Sequence, residues 1–293
     1  MTSTGTVWGT DRFGVSLSWS DTTPVVITYL GEGGPGDCPG LSGDAPLARQ
    51  PLVEILAVGH GRARASLRSV ETQVGRRLRH RRHGVSDGGS ELWVEQVDDM
   101  SGLVVRSHFR AGTASGWSAR TSVTNEGDRA VVLQAVSVLA LSALHGSDAV
   151  PAHRLVLHSG ISEWLGENRW TAVPVRTHEL VDLGLPLHGQ DQRGRIHRRG
   201  ISTWSTGTDL PVGALVDTES GWAWAWQIEH NGPWSWEVGE RLDGVYIGLS
   251  GPDDEDHQWS VTLEPGDTFE SVPAALVFSP DGFEGVSGEL TRH

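Results

Sequence analysis

The chain has 293 residues, 37% hydrophobic and 20% charged, which is long enough and apolar enough for one large globular domain. Its formal net charge of -14 argues against nucleic acid or an anionic membrane as a partner, because either would require a basic surface. The sequence has no apolar run of membrane-spanning length, no signal-peptide pattern, and a single cysteine, Cys38, without a partner in the chain. These features predict no membrane partner and favour a cytoplasmic location.

Composition favours strands over helices. The chain contains 38 glycines and 14 prolines, which interrupt helices, and many Thr, Val and Trp residues, which suit pleated surfaces. Ten runs have the alternation or the length of strands: residues 25–29, 92–97, 103–109, 118–125, 131–139, 213–216, 221–229, 234–238, 245–249 and 258–263. Residues 150–158 can hold a further strand, and the tail at 280–293 can begin a helix.

Turn residues separate the strand-like runs. Residues 125–128, 230–233 and 264–267 combine Asn, Gly, Pro and Asp where a meander of hairpins would need tight turns. Such regular spacing predicts an all-β sandwich or barrel. Because no linker divides the sequence sharply, we expect one domain over residues 1–293.

Residues 76–83 form a basic run in an otherwise acidic chain, with only Leu78 neither arginine nor histidine. We interpret this run as a solvated loop or an edge strand, because strand edges are commonly protected by charge. A functional anion site is the alternative.

The patterns that carry catalysis or bind a metal are absent from the sequence. There is no Gly-x-Ser-x-Gly elbow, no His-Glu-x-x-His or Cys/His knuckle, and no phosphate-binding glycine motif ahead of a helix. The 37 acidic residues are too many for any pair to indicate a glycosidase site. We therefore predict no metal and no cofactor.

The most distinctive segment is residues 221–237, which contains five of the 13 tryptophans. Around its central Asn-Gly turn we expect a hairpin that places Trp234 opposite Glu229 and Trp236 opposite Gln227. Flat aromatic rings beside hydrogen-bonding groups can hold a sugar, so Trp234 and Trp236 are candidate substrate-binding residues. The alternative interpretation is that both faces of the hairpin are buried between stacked sheets.

Three segments carry a resemblance to a known family. Residues 198–215 (Arg-Arg-Gly-Ile-Ser-Thr-Trp-Ser-Thr-Gly-Thr-Asp-Leu-Pro-Val-Gly-Ala-Leu), then 221–232 and then 263–273 closely resemble, in that order, the amino-terminal domain of bacterial family 36 glycoside hydrolases. This is a family of α-galactosidases. Residues 26–31 and 120–127 fit as well, and the resemblance extends over residues 1–293.

The resemblance implies a β-supersandwich of the galactose-mutarotase-like type, followed in intact family members by a (β/α)8 barrel and a small β domain. In the family, two barrel aspartates carry out hydrolysis with retention of configuration. The nucleophile's Lys-Trp-Asp motif cannot be present here, because the chain has no lysine. We therefore assign no catalytic residue and expect a domain that packs and oligomerises an α-galactosidase acting on sugars such as raffinose or melibiose.

The resemblance also implies partners and contact residues. The expected partners are the protein's own barrel, further copies in a homo-oligomer and galactoside sugars. In oligomeric family members, loops of this domain reach a neighbouring active site, and the corresponding loop, residues 31–50, offers Asp37, Asp44 and Arg49 as substrate-binding candidates. Without its barrel, the domain is expected to self-associate.

Two other functions remain open from the sequence. One is a free-standing carbohydrate-binding module that uses Trp234 and Trp236. The other is a mutarotase-like sugar epimerase, which would need a His/Glu acid–base pair in one pocket. The neighbours Glu229 and His230 would point to opposite faces of a regular strand and so do not provide it.

Overall fold

The computed structural model describes residues 4–39, 49–64, 66, 68–177, 180–242 and 244–293. In chain order the strands are β1 (Thr4–Gly9), β2 (Phe13–Ser20), β3 (Thr23–Glu32), β4 (Ile55–Ala57), β5 (Arg79–Val85), β6 (Glu91–Asp98), β7 (Leu103–Ala111), β8 (Gly116–Asn125), β9 (Val131–Ser142), β10 (Leu144–His145), β11 (Asp148–Ala149), β12 (Leu155–Ile161), β13 (Arg169–Pro174), β14 (Arg195–Gly200), β15 (Asp209–Asp217), β16 (Ala223–Ile228), β17 (Trp234–Arg241), β18 (Gly244–Ser250), β19 (Val261–Leu263), β20 (Thr268–Glu270) and β21 (Ala274–Ser279). The helices are α1 (Gln73–Arg77), α2 (Asp254–His257) and α3 (Gly282–Arg292).

Two large antiparallel sheets form the sandwich. The ten-stranded sheet has the order β13-β12-β15-β16-β21-β8-β7-β6-β5, with β20 paired to β8. The six-stranded sheet has the order β14-β17-β18-β9-β19, with β4 paired to β9. Strands β1, β2 and β3 form a third sheet, and β10 pairs with β11. The predicted all-β class and supersandwich architecture are confirmed, and each of the ten predicted strand runs overlaps an observed strand.

Strand β16 shows how residue size sets the packing. Its tryptophans belong to the main buried cluster between the sheets, whereas Ala223 and Ala225 belong to a second cluster with Val286 of α3. Successive strand residues point to opposite faces, so large side chains fill the space between sheets and small ones admit the helix. The helix predicted in the tail is confirmed as α3.

The predicted hairpins at the three turn segments are wrong. Residues 125–128 lead from β8 in the ten-stranded sheet to β9 in the six-stranded sheet. Residues 230–233 likewise lead from β16 to β17, and residues 264–267 lead back from β19 to β20. Each segment turns the chain as expected, but into the opposite sheet. Turn chemistry reverses the chain locally, whereas burial of apolar faces decides which strand pairs with which.

Asn125 ties two of these crossings together. Its side chain is fully buried, its Nδ2 donates to the carbonyls of Arg129 and Leu263 at 2.8 Å each, and its Oδ1 accepts from the Gly127 amide at 3.0 Å. The backbone of Asn125 also pairs with Gly266 and Asp267 of the returning turn. One amide side chain therefore fixes where the chain leaves one sheet and where it returns.

The edge-strand interpretation of the basic run is confirmed for residues 79–83, which lie in β5, whereas Arg76 and Arg77 belong to α1. Strand β5 is the last strand of the ten-stranded sheet and pairs with β6. Arg82 pairs with Glu95 of β6, while the His80 ring stacks on Trp19 with a centroid distance of 3.9 Å and contacts His83. Arginine and histidine thus protect the exposed edge and also pack against the third sheet.

Replacing Asn125 by alanine is expected to lower the free energy of unfolding by about 2–3 kcal/mol, because buried backbone groups lose their partners. Urea denaturation measures this loss. Asn231→Ala is the matched control, since Asn231 is an exposed turn residue, and we expect a change of no more than about 0.5 kcal/mol. Equal effects in both variants would contradict the role assigned to Asn125.

The burial of His80 in β5 makes the stability of the folded chain sensitive to acid. Burial, with the nearby His83, lowers the pKa of His80 from 6.5 to about 4. Between pH 6.5 and about 4, His80 is therefore protonated in the unfolded chain but neutral in the folded chain. The free energy of unfolding consequently falls as the pH drops from 6.5 towards 4. We expect His80→Phe to reduce this slope in denaturation curves, and His153→Phe, at an exposed histidine, to leave it unchanged.

Candidate functional site

The tryptophans of residues 222–236 lie in the core. Trp234 and Trp236 are 0% and 1% exposed, and their strand β17 pairs with β14 and β18 rather than with β16. Trp236 packs edge-on against Trp226 of the opposite sheet, with a centroid distance of 5.2 Å. The predicted hairpin and its sugar-binding face do not form, because the two halves of the segment belong to different sheets. The geometry matches the alternative interpretation, in which both faces are buried.

The other face of β17 carries Glu237, a buried carboxylate that the sequence analysis missed. Glu237 is the cross-strand partner of His197 in β14. The Glu237 carboxylate accepts hydrogen bonds from the Ser69 amide at 2.9 Å, from the Tyr246 hydroxyl at 2.8 Å and from Arg195 at 3.0 Å. The cavity beside these two residues has a volume of about 20 Å³, which suits a water molecule and not a sugar. Glu237 is therefore buried under the segment that contains Ser69, whereas His197 Nε2 lies 3.2 Å from the Asp256 carboxylate.

Glu229 and His230, the pair considered from the sequence, follow the end of β16. The Glu229 carboxylate contacts His293 Nε2 at 3.3 Å, and partial burial lowers the pKa of His230. This contact places Glu229 beside the carboxyl end of α3.

The three loop candidates have different positions. Asp37 is exposed in a short turn after β3, where its carboxylate accepts from the Gly34 amide at 2.8 Å. Arg49 is 7% exposed and donates to the Ser147 carbonyl at 2.6 Å. Asp44 lies outside the described residues. The sequence could indicate the loop but not which of its side chains would be drawn inwards.

Arg49 lines a cleft of about 450 Å³ between the β2–β3 turn and the chain around α1. We call it the arginine cleft; its charged lining residues are Arg49, Arg64, Arg76, Arg79, Arg241, Glu54, Glu71 and Asp191. Nothing local in the sequence links these positions, which come from five separate segments.

Two of the three carboxylates in the arginine cleft are held in ion pairs. Glu71 pairs with the buried Arg68 at 2.5 Å. Asp191 accepts from the Leu242 amide at 2.7 Å and lies 3.4 Å from Arg241. Both carboxylates are at most 5% exposed, so they stabilise the walls of the cleft.

Glu54 is held by hydrogen bonds alone. Its carboxylate accepts from the Gln50 side chain, from the Glu71 amide, and from both the amide and the hydroxyl of Thr72, at 2.6–3.0 Å. Burial raises the pKa of Glu54, although these donors lower it in part. Glu54 fixes the chain leading into α1.

Within the described ranges, no three or more His, Cys, Asp or Glu side chains are arranged to hold a metal ion. Among the helices described here, none has both the length and the apolar character to cross a membrane.

Comparisons with known proteins identify the fold. No family model and no curated protein matches the sequence. Among solved structures, the GH36 α-galactosidase AgaA A355E of Geobacillus stearothermophilus, in complex with 1-deoxygalactonojirimycin, superposes with a TM-score of 0.70 at 13% identity. That match covers 98% of this chain and 42% of the enzyme.

Two further structures agree. The α-galactosidase of Lactobacillus brevis gives a TM-score of 0.69 at 14% identity, covering 98% of this chain and 41% of its own. The galactosidase domain of the α-galactosidase-sucrose kinase AgaSK gives 0.71 at 14% identity, covering 97% and 41%. This chain thus has the fold of part of these proteins and spans about two-fifths of their length, which confirms the resemblance seen in the sequence and fits an amino-terminal domain.

Trp236→Ala is expected to reduce the free energy of unfolding by about 3–5 kcal/mol, because it leaves a cavity between the sheets. Trp204→Ala is the control: Trp204 is 55% exposed, and its loss should cost no more than about 0.5 kcal/mol. Denaturant titration distinguishes the two. A stable, folded Trp236→Ala protein would contradict the buried position of this ring.

Proposed function

We propose that these residues form the amino-terminal, non-catalytic domain of a cytoplasmic α-galactosidase. Hydrolysis of terminal α-galactosides such as raffinose or melibiose would take place in a barrel outside the 293 residues, and this domain would serve packing and oligomerisation. The observation that carries the proposal is the match over nearly the whole of this chain to about two-fifths of each GH36 structure. Such a match is expected when one domain corresponds to part of a larger enzyme.

The positions of the acidic groups support a non-catalytic role. A glycosidase needs two carboxyl groups that face the scissile bond. The buried carboxylates Glu54, Glu71, Asp191 and Glu237 instead hold arginines, hydroxyls or backbone amides of the fold. Their hydrogen bonds position loops against the sheets.

An exposed apolar patch supports the packing role. Trp164 and Leu165 follow β12 and are 75% and 85% exposed, and Ile201 and Trp204 follow β14 with 65% and 55% exposed. The two loops meet where the Ser162 amide donates to the Thr208 carbonyl at 2.6 Å. Apolar side chains concentrated at one end of a sandwich are typical of a surface that another domain or subunit covers.

In the assembled enzyme, Asp37, Asp44 and Arg49 would contribute to the galactoside site of a neighbouring subunit. The hydrogen bond from Arg49 to the Ser147 carbonyl supports this role, because it holds the guanidinium in place. A preorganised arginine loses little conformational entropy when it binds a hydroxyl or a carboxylate.

The proposal is tested by assaying the purified chain with p-nitrophenyl α-galactoside, raffinose and melibiose, and by reading the gene beyond the codon for His293. We expect no hydrolysis above the buffer rate, an open frame that encodes a barrel with a Lys-Trp-Asp strand, and activity in the longer protein. Hydrolysis by the 293 residues alone, or a stop codon directly after His293, would contradict the proposal.

The contribution of Arg49 is tested in the longer protein. Arg49→Ala is expected to raise KM at least about fivefold, since a hydrogen bond to a charged group contributes roughly 1.5–3 kcal/mol. Arg110→Ala, at an arginine that is 76% exposed, is the control and should leave KM unchanged. An unchanged KM in Arg49→Ala would remove Arg49 from the proposed site.

A further inference from the structure

We propose that the arginine cleft is an oxyanion site that binds the phosphate group of a small ligand. α-Galactosides are neutral, so this goes beyond the proposed function. The inference rests on three features of the cleft. These are its excess of positive charge, the hydrogen-bond partners of Arg64, Arg76 and Arg79, and its volume.

The acidic residues of the cleft are already neutralised or satisfied. Glu71 is held by Arg68, and Asp191 by Arg241 and a backbone amide. Glu54 accepts its hydrogen bonds from uncharged donors and needs no arginine. Among the described residues, the three carboxylates therefore leave the guanidinium groups of Arg76 and Arg79 without an ion-pair partner.

Arg79 and Arg76 carry the charge excess, at the carboxyl end of α1. The Arg79 guanidinium donates to the carbonyls of Asp21, Arg76 and Leu78 at 2.7–3.1 Å. In the part of the chain that the structure describes, these carbonyls are its hydrogen-bond acceptors, and Arg76 itself is exposed and has no carboxylate within ion-pair distance. Carbonyl acceptors do not cancel a positive charge, so both guanidinium groups keep theirs.

Arg64 adds a third cation to the lining of the cleft, near Glu71 and Asp191. Its side chain is 51% exposed, and its contacts with Glu71 and Asp191 are both 3.8 Å, longer than a hydrogen bond. Both of those carboxylates have closer partners, so Arg64 is free to turn towards a ligand.

Size and charge together select the ligand class. A volume of about 450 Å³ lies in the range of small-molecule sites and accommodates a sugar phosphate. Guanidinium groups bind phosphate oxygens in pairs, which a neutral hydroxyl cannot match. Because the whole chain has a net charge of -14, its surface repels an extended polyanion, whereas a small anion can reach this local positive cleft.

The test is calorimetric titration of the intact chain with inorganic phosphate, glucose 6-phosphate and glucose at low ionic strength. We expect both phosphates to bind, glucose not to bind, and glucose 6-phosphate to bind more tightly if the natural ligand is a phosphorylated small molecule rather than free phosphate. Arg64→Ala and Arg76→Ala should each weaken binding about tenfold, because each removes a charge-assisted hydrogen bond.

Both substituted side chains are exposed, so the variants are expected to fold, and circular dichroism checks this. Arg110→Ala, on β7, is the matched control and should bind phosphate as the parent chain does. The proposal is overturned if 20 mM phosphate gives no binding, if glucose binds as tightly as its phosphate, or if the Arg64 and Arg76 variants bind like the control.

Discussion

The contact between the two large sheets is the constraint on which the rest of the structure depends. Trp226 and Trp236 meet across the interface, and Trp222 and Trp224 both donate their indole N–H to the Leu144 carbonyl at 3.1 Å. Large aromatic groups bury much apolar area, and a shared backbone acceptor satisfies the buried N–H groups of Trp222 and Trp224. Filling the space between the sheets with tryptophan stabilises the sandwich and leaves no room for a sugar beside Trp226 and Trp236.

Buried carboxylates determine how the outer face of the six-stranded sheet is covered. Glu237 holds Ser69 above the sheet, and Glu54 holds Thr72 at the start of α1. These buried carboxylates bring a long irregular segment down onto β17 and β9. One consequence is that Glu237 is buried beneath this segment. Another is that Arg76 and Arg79, at the end of α1 and just after it, lie at the edge of the covered area.

The surfaces for which we propose a role therefore lie at the rim of the sandwich and not in its core. The apolar loops after β12 and β14 meet at one end of the sandwich. The arginine cleft lies where β3, α1 and the end of β17 come together. A domain with a filled core can still contribute to an enzyme in this way, because loops on a rigid scaffold are the usual carriers of binding residues.

The sequence by itself determined the strands, their turns and the family resemblance, because alternation, turn residues and segment order are local properties. It could not decide that the turn at residues 230–233 leads into the other sheet, since the same Asn-Gly pair serves a hairpin or a crossing. That choice moved Trp234 and Trp236 from a predicted binding face into the core. The sequence could name an anion site in residues 76–83 as an alternative, but not the arginine cleft itself, because Arg64, Arg79 and Asp191 become neighbours only in the folded structure.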